Sequence, residues 1–195
     1  MLDKQTNIGL YFGSFNPVHH GHLIIANHIL QNFELKEVWF VVSPQNPFKS
    51  TGSLLNENHR IHFIREAIEG EKGLKASNVE FNLPKPSYTI DTLTYLTEQF
   101  PNYRFSIIVG GDSFQNILQW KNGKSILENY QIIVYNRPGF TINPKIGKNV
   151  RVANAPLLEI SSTQIREMIK NNLSIRYLVP DIVIKEIDKG LYYSK

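Results

Sequence analysis

Short apolar runs rich in β-branched and aromatic residues recur along this chain. Between them lie segments whose apolar residues return every three or four positions. That alternation constrains the fold more than any other feature, because it is the pattern of βαβ units. Ile8–Phe12 reads as a buried strand ending in Gly13. The segment His22–Phe33 follows as a helix with Leu23, Ala26, Ile29, Leu30 and Phe33 on one face. Val38–Val42 reads as a second strand, and Glu57–Ile68 as a second helix with Ile61, Ile64 and Ile68 aligned. Val79–Phe81 is a short strand candidate. Ile90–Phe100 gives a third helix, Phe105–Val109 and Ile132–Tyr135 two more buried strands, and Val150–Ala153 a further one. The tail turns helical over Ser161–Ile169 and Pro180–Ile187, with Pro180 suited to a first helical turn. Continuous apolar strands fit a parallel sheet covered by helices on both faces. The expected fold class is therefore α/β, with a C-terminal helical segment.

No repeat, low-complexity tract or linker divides the 195 residues, so one domain spanning 1–195 is expected. A chain of this length buries enough surface to fold without a disulfide or structural metal. Cysteine is absent, which excludes a disulfide framework, a thiolate nucleophile and any cysteine-ligated metal. The apolar run near the start is too short for a signal peptide, and no run approaches a membrane span. A cytoplasmic protein without membrane association is expected. Lys+Arg exceed Asp+Glu by 21 to 17, and the basic residues are scattered, so the positive balance reads as solubility rather than nucleic-acid binding.

In open α/β sheets, ligands bind beyond the carboxyl ends of strands where the strand order reverses. The loops after the strands are therefore the places to look for chemistry. Gly13-Ser14-Phe15-Asn16-Pro17-Val18-His19-His20-Gly21-His22 follows the first strand and opens the first helix. Gly13 permits close backbone approach, Asn16-Pro17 forces a turn, and His19 and His22 lie three apart at a helix entrance. Free N–H groups and the positive dipole end suit a phosphate there. A plain capping turn is the bland alternative. A metal site is disfavoured because no Asp or Glu lies within ten residues of the histidines. Ser43–Lys49 (SPQNPFK) follows the second strand and carries Lys49, a mobile point charge. Ser87, Tyr88 and Thr89 precede the third helix as potential caps. Gly110-Gly111-Asp112 ends a strand, where an Asp can bind ribose hydroxyls or cap a helix. Ser161 or Ser162 would cap the next-to-last helix, with Arg166 one turn in; alone this reads as a plain capped helix with a surface arginine, and the alternative is a second anion site. Trp120, taken alone, reads as core or interface. Gly123-Lys124-Ser125 lacks the glycine a P-loop needs five positions earlier, where Leu118 stands, and no G-x-G-x-x-G occurs.

The string GSFNPVHHGH resembles the H-x-G-H signature of the nucleotidylyltransferase superfamily. Within it, the chain is similar over nearly its whole length to the bacterial nicotinate-nucleotide adenylyltransferases. SPQNPFK, Pro86–Leu93 (PSYTIDTL), Gly110–Asp112, Asn136–Gly139 (NRPG), Ile160–Arg166 (ISSTQIR) and Tyr177–Pro180 (YLVP) carry the likeness in order. The resemblance implies a Rossmann-like fold and transfer of the adenylyl group of ATP to nicotinate mononucleotide, releasing pyrophosphate. It assigns Gly13, Ser14, Phe15, His19, His22, Lys49, Gly110, Asp112, Ser161, Ser162 and Arg166 to ATP. Of these, His19, His22, Lys49 and Arg166 are the catalytic set. Asn16, Ser87, Tyr88, Thr89, Trp120 and Arg137 fall to the nicotinate nucleotide, with Trp120 stacking on the pyridine ring. Lys121 stands where some members have tyrosine, and Asn16 where many have aspartate. Mg²⁺ is expected as a passenger of ATP, with no metal held by the protein. A nicotinamide-mononucleotide or dual-specificity adenylyltransferase, and a nucleotide-binding regulator without turnover, are the alternatives.

Overall fold

The computed structural model describes residues 5–47, 54–156 and 158–194. Among them six parallel strands form one sheet. In chain order these are β1 (Thr6–Gly13), β2 (Glu37–Val42), β3 (Leu74–Ser77), β4 (Tyr103–Gly110), β5 (Gln131–Tyr135) and β6 (Val150–Ala153). Their order across the sheet is β3-β2-β1-β4-β5-β6. The helices are α1 (His20–Asn32), α2 (Glu57–Ala67), α3 (Thr89–Gln99), α4 (Gly111–Phe114), α5 (Gly123–Asn129), α6 (Ser162–Lys170) and α7 (Asp181–Gly190). From β1 the chain moves outward to β2 and β3, then returns to place β4 on the other flank of β1. The crevice above β1 and β4 is thus the reversal point where ligands sit in such sheets.

Strand residues alternate between two cores, as the two-residue period requires. Ile8, Leu10, Phe105, Ile107, Ile132 and Val134 point to the face covered by α3 and α5, where Leu93, Leu96, Ile126 and Leu127 meet them. Tyr11, Phe40, Ile108, Ile133 and Tyr135 point to the opposite face. There Ile25 and Ile29 of α1, Ile61 and Ile64 of α2, Ile165 of α6 and Val183 and Ile187 of α7 close the core. The two C-terminal helices therefore pack on the same face as α1. No helix among the described residues is long and apolar enough to cross a membrane.

The sequence pattern holds for the sheet, with one correction. Val79–Phe81 is not a strand. Val79–Asn82 forms a 3₁₀ turn, and the edge strand lies earlier, at Leu74–Ser77. That strand is four residues of mixed polarity (LKAS) paired on one side only, to β2. Its hydrogen bonds, rather than a hydrophobic run, define it. The helices α4 and α5 were too short for a 3.6-residue period to register. α1 begins at His20, two residues before the apolar stripe, because His19 caps it.

Candidate functional site

A cavity of about 480 Å³ opens at the carboxyl ends of β1 and β4. Gly13, Ser14, Phe15, Asn16, His19, His22, Gly110, Asp112, Arg137, Ser161, Ser162 and Arg166 all line it. Residues scattered over 150 positions thus converge on one space. Beside it lies a smaller cavity of about 90 Å³, lined by Ser43, Glu80, Ser87, Tyr88, Thr89, Trp120 and Lys121. Phe12, Gly13, Asn46, Val109 and Ser113 border both, so the two spaces share a wall. Asn16 and Arg137, expected with the pyridine nucleotide, lie on the larger cavity. Lys49 falls outside the described residues.

His19 and His22 are locked together. The His22 backbone N–H donates to His19 Nδ1 at 3.4 Å, and the His19 N–H donates to His22 Nδ1 at 3.3 Å. Imidazoles thus play both parts of a capping box, a role that Ser or Thr and Glu or Gln usually fill. The two rings stack with centroids 3.6 Å apart. Because each Nδ1 accepts, the proton of each neutral ring sits on Nε2, a donor. Burial pushes the His19 imidazole down to about 3, with the charges of Arg137 and His20 adding to it. His19 is therefore neutral at physiological pH. Gly21 makes the stack possible, since a Cβ there would stand 3.0 Å from His19 Nδ1. The capping and phosphate-site readings of this turn are the same structure, in which the cap fixes the tautomer that can donate to an anion.

The loop from Gly13 to Pro17 is braced from two helices. Arg166 Nη1 donates to the Asn16 carbonyl at 2.8 Å, and the Ser162 hydroxyl donates to the Pro17 carbonyl at 2.8 Å. Ser161 caps α6 by accepting from the Gln164 N–H at 3.2 Å. Of the two serines at this entry, then, Ser161 is the cap and Ser162 the strut. From α2, Arg60 donates to the carbonyls of Ser14 at 2.6 Å and Ser43 at 3.0 Å. Phe15, at the apex, adopts a left-handed φ of 45°. Its ring lies against His22, with centroids 5.0 Å apart.

Charge around the larger cavity favours anions. The N-termini of α1 and α6 meet there, together with Arg137 and Arg166. Asp112 is the one carboxylate among the described lining residues, and its Oδ1 lies 3.9 Å from Arg137 Nε. Arg137 also sits over the Tyr135 ring at 5.7 Å. In the smaller cavity Lys121 is paired with Asp91 at 2.8 Å and lies 4.9 Å from the centre of the Tyr88 ring. Glu80 is buried beneath this space. Burial pushes its carboxyl up, against the hydroxyls of Thr92, Ser43 and Ser87, and Thr92 donates to it at 2.7 Å.

Sequence reasoning missed Arg60, Glu80, Asn46, Ser113 and Thr163. Arg60 left a trace, a charged residue three and four positions before Phe63 and Ile64, in the apolar stripe of its own helix. Asn46 and Thr163 lie inside the SPQNPFK and ISSTQIR motifs without being singled out there, and Glu80 and Ser113 gave no local signal.

The cytidylyltransferase-like family matches residues 10–168. A protein of Cytophaga hutchinsonii, named a probable nicotinate-nucleotide adenylyltransferase, is 50% identical over 96% of this chain and 98% of its own length. A relative of the same name from Flavobacterium psychrophilum is 47% identical over 96% of this chain and 99% of its own. Among solved structures, the Plasmodium falciparum nicotinic acid mononucleotide adenylyltransferase complexed with NaAD superposes with a TM-score of 0.83 at 25% identity. That match covers 96% of this chain and 97% of the other. Fold, loop motifs and likeness over nearly the full length agree: the chain belongs to the nicotinate-nucleotide adenylyltransferase family.

Proposed function

We infer that the chain transfers the adenylyl group of ATP to nicotinate mononucleotide, giving nicotinate adenine dinucleotide and pyrophosphate. The observation that carries the reading is the pair of joined cavities at the reversal point of the sheet, one basic and the other aromatic and hydroxyl-lined. ATP takes the larger. Its phosphates lie against the N-termini of α1 and α6, with His19 and His22 donating from Nε2 and Arg166 and the backbone N–H of Ser162, in the first turn of α6, on the β and γ groups. Lys49 adds a charge to the triphosphate. Gly110 and Asp112 receive the adenosine, and Arg137 reaches the nucleotide phosphates. The pyridine ring enters the smaller cavity, with Trp120 as its stacking partner and the Ser87–Thr89 segment at its carboxylate.

An oxygen of the acceptor phosphate attacks the α-phosphorus in line. The bond from that phosphorus to the β-bridging oxygen breaks, and pyrophosphate leaves with the electron pair. Catalysis of this kind rests on positioning and on neutralising charge. Neutral, pre-aimed donors suit it because none has to ionise during the step. Among the described residues no three His, Cys, Asp or Glu side chains converge as a metal site. Mg²⁺ would accompany ATP and screen the charge of its triphosphate. The reaction belongs to the cytoplasm, where ATP is at hand.

The test is pyrophosphate release with ATP and Mg²⁺, comparing nicotinate with nicotinamide mononucleotide. A pocket that pairs with a carboxylate disfavours the carboxamide by about 2–4 kcal/mol, a preference of roughly thirtyfold or more in kcat/KM. Equal rates would make the pocket a dual-specificity one. No release with either nucleotide would refute the reading.

A further inference from the structure

The end of the chain returns to the catalytic loop. Beyond α7, the Tyr193 hydroxyl donates to Asn16 Oδ1 at 2.8 Å, across 177 residues of sequence. The Leu55 backbone N–H donates to the same oxygen at 3.2 Å. A carboxamide oxygen has two lone pairs. Both are engaged, so the Asn16 oxygen is held from two sides. Asn16 is 5% exposed and lines the larger cavity, one residue before the Pro17 carbonyl that Ser162 holds. Its own carbonyl is held by Arg166.

The tail is shaped for this contact. Leu191 and Tyr193 both adopt left-handed backbone, at φ 49° and φ 67°, which swings the chain off the end of α7. Tyr192 secures the turn on α2, with its hydroxyl 3.0 Å from His59 Nδ1 and its ring edge-on to Phe63 at 5.7 Å. Tyr193 is thereby delivered to the loop by an anchor that does not touch the cavity. Burial pushes its phenol up, outweighing the Arg166 and Arg60 charges that favour ionisation, so the hydroxyl remains a proton donor.

We propose that Tyr193 is a positioning residue for adenylyl transfer, its hydroxyl fixing the Asn16 amide and with it the loop that carries the phosphate donors. The inference rests on the adenylyltransferase reading of the cavity. Without the hydroxyl, the Asn16 oxygen loses one of its two donors and keeps the longer one from Leu55, so the amide is held less firmly, and small misplacements next to a reacting phosphate are costly to rate.

The experiment uses the full chain, with kcat and KM measured for both substrates. Tyr193→Phe keeps the ring and removes one bond, and is expected to lower kcat about tenfold with KM within about twofold and melting nearly unchanged. A chain ending at Tyr192 is expected to match it. In an Asn16→Ala background, Tyr193→Phe is expected to cost nothing further, because the two act as one unit. Absence of turnover in the unaltered chain would refute the functional reading, and this inference with it. Turnover in the unaltered chain that Tyr193→Phe leaves intact would overturn this inference alone. So would an equal loss with and without Asn16, or a lower melting temperature at unchanged kcat.

Discussion

Arg60 is fully buried, yet every partner its guanidinium reaches is a backbone carbonyl. Nε donates to Leu55 at 2.7 Å, Nη1 to Ser14 at 2.6 Å and to Ser43 at 3.0 Å, and Nη2 to Pro44 at 3.5 Å. Those carbonyls end β1, end β2 and lead into α2, so one side chain joins three segments around the site. Burial pushes the guanidinium down, while Glu57 and Tyr193 favour its charged form. Arg60→Lys keeps the charge but replaces a planar fork by a single ammonium on a shorter reach. If two of the three shorter bonds are lost, two buried carbonyls are left unpaired at roughly 1–3 kcal/mol each, or about 2–6 kcal/mol together. For a chain of this size each kcal/mol moves the melting point by roughly 2–4 °C, so a drop of about 4–24 °C is expected. Differential scanning calorimetry measures it. Steady-state kinetics below the melting range should find kcat/KM reduced too, since Ser14 and Ser43 lose their common brace. A lysine variant that melts within about 2 °C of the unaltered chain at full kcat/KM would refute the argument that the fork geometry matters.

Gly21→Ala sets two effects against each other. Helix propensity favours alanine by about 1 kcal/mol, whereas the new Cβ presses on a His19 ring already stacked on His22, an overpacking cost of about 1–3 kcal/mol. Stability is expected to fall by at most about 2 kcal/mol while turnover drops tenfold or more as the ring shifts; unaltered turnover would mean that the position of His19 is not critical. The depressed His19 gives a pH dependence whose sign is fixed. The unfolded chain takes up a proton near 6.5 that the folded chain refuses until about 3, so stability is lost as pH falls between those values. At pH 5 the loss is about 2 kcal/mol relative to pH 7.5, and a His19→Asn variant should lack it in calorimetry at both pH values. A His19 ring resonance titrating above pH 5 by NMR would contradict the burial argument.

The parts of this molecule legible in the sequence are those written in local pattern. Apolar runs such as Val38–Val42 and Phe105–Val109 must be covered on both faces, so strand positions follow directly. The strand-to-helix turn GSFNPVHHGH is legible because its glycines, proline and histidines stand together in the chain. Leu74–Ser77 was invisible because an edge strand of four mixed residues owes its existence to pairing with β2. The sequence also could not tell which serine of the α6 entry caps and which braces. That depends on the Pro17 carbonyl, 145 residues away. Arg60 and Tyr193 illustrate the same limit, since their partners are backbone and amide oxygens that no side-chain pattern marks.

The bracing also explains why the site divides as it does. Arg60 of α2, Ser162 and Arg166 of α6, Leu55 ahead of α2 and Tyr193 beyond α7 all bond to the Gly13–Pro17 loop. The Tyr88–Thr89 entry and Trp120 belong instead with α3 and the residues after α4, against the other core. The larger cavity, read as the ATP site, and the smaller one, read as the acceptor site, thus lean on different helices, and among the described residues Phe12, Gly13, Asn46, Val109 and Ser113 border both. In-line transfer requires nucleophile and leaving group on opposite sides of the α-phosphorus. On the proposed reading, pyrophosphate toward α6 and an acceptor entering from the smaller cavity put that phosphorus near the shared wall that includes Gly13. A side chain there would collide with the Phe15 ring, where a Cβ would stand 2.8 Å from its tip. The glycine ending β1 is thus required by the Phe15 ring that lies over it, and the same side-chain-free backbone borders both cavities.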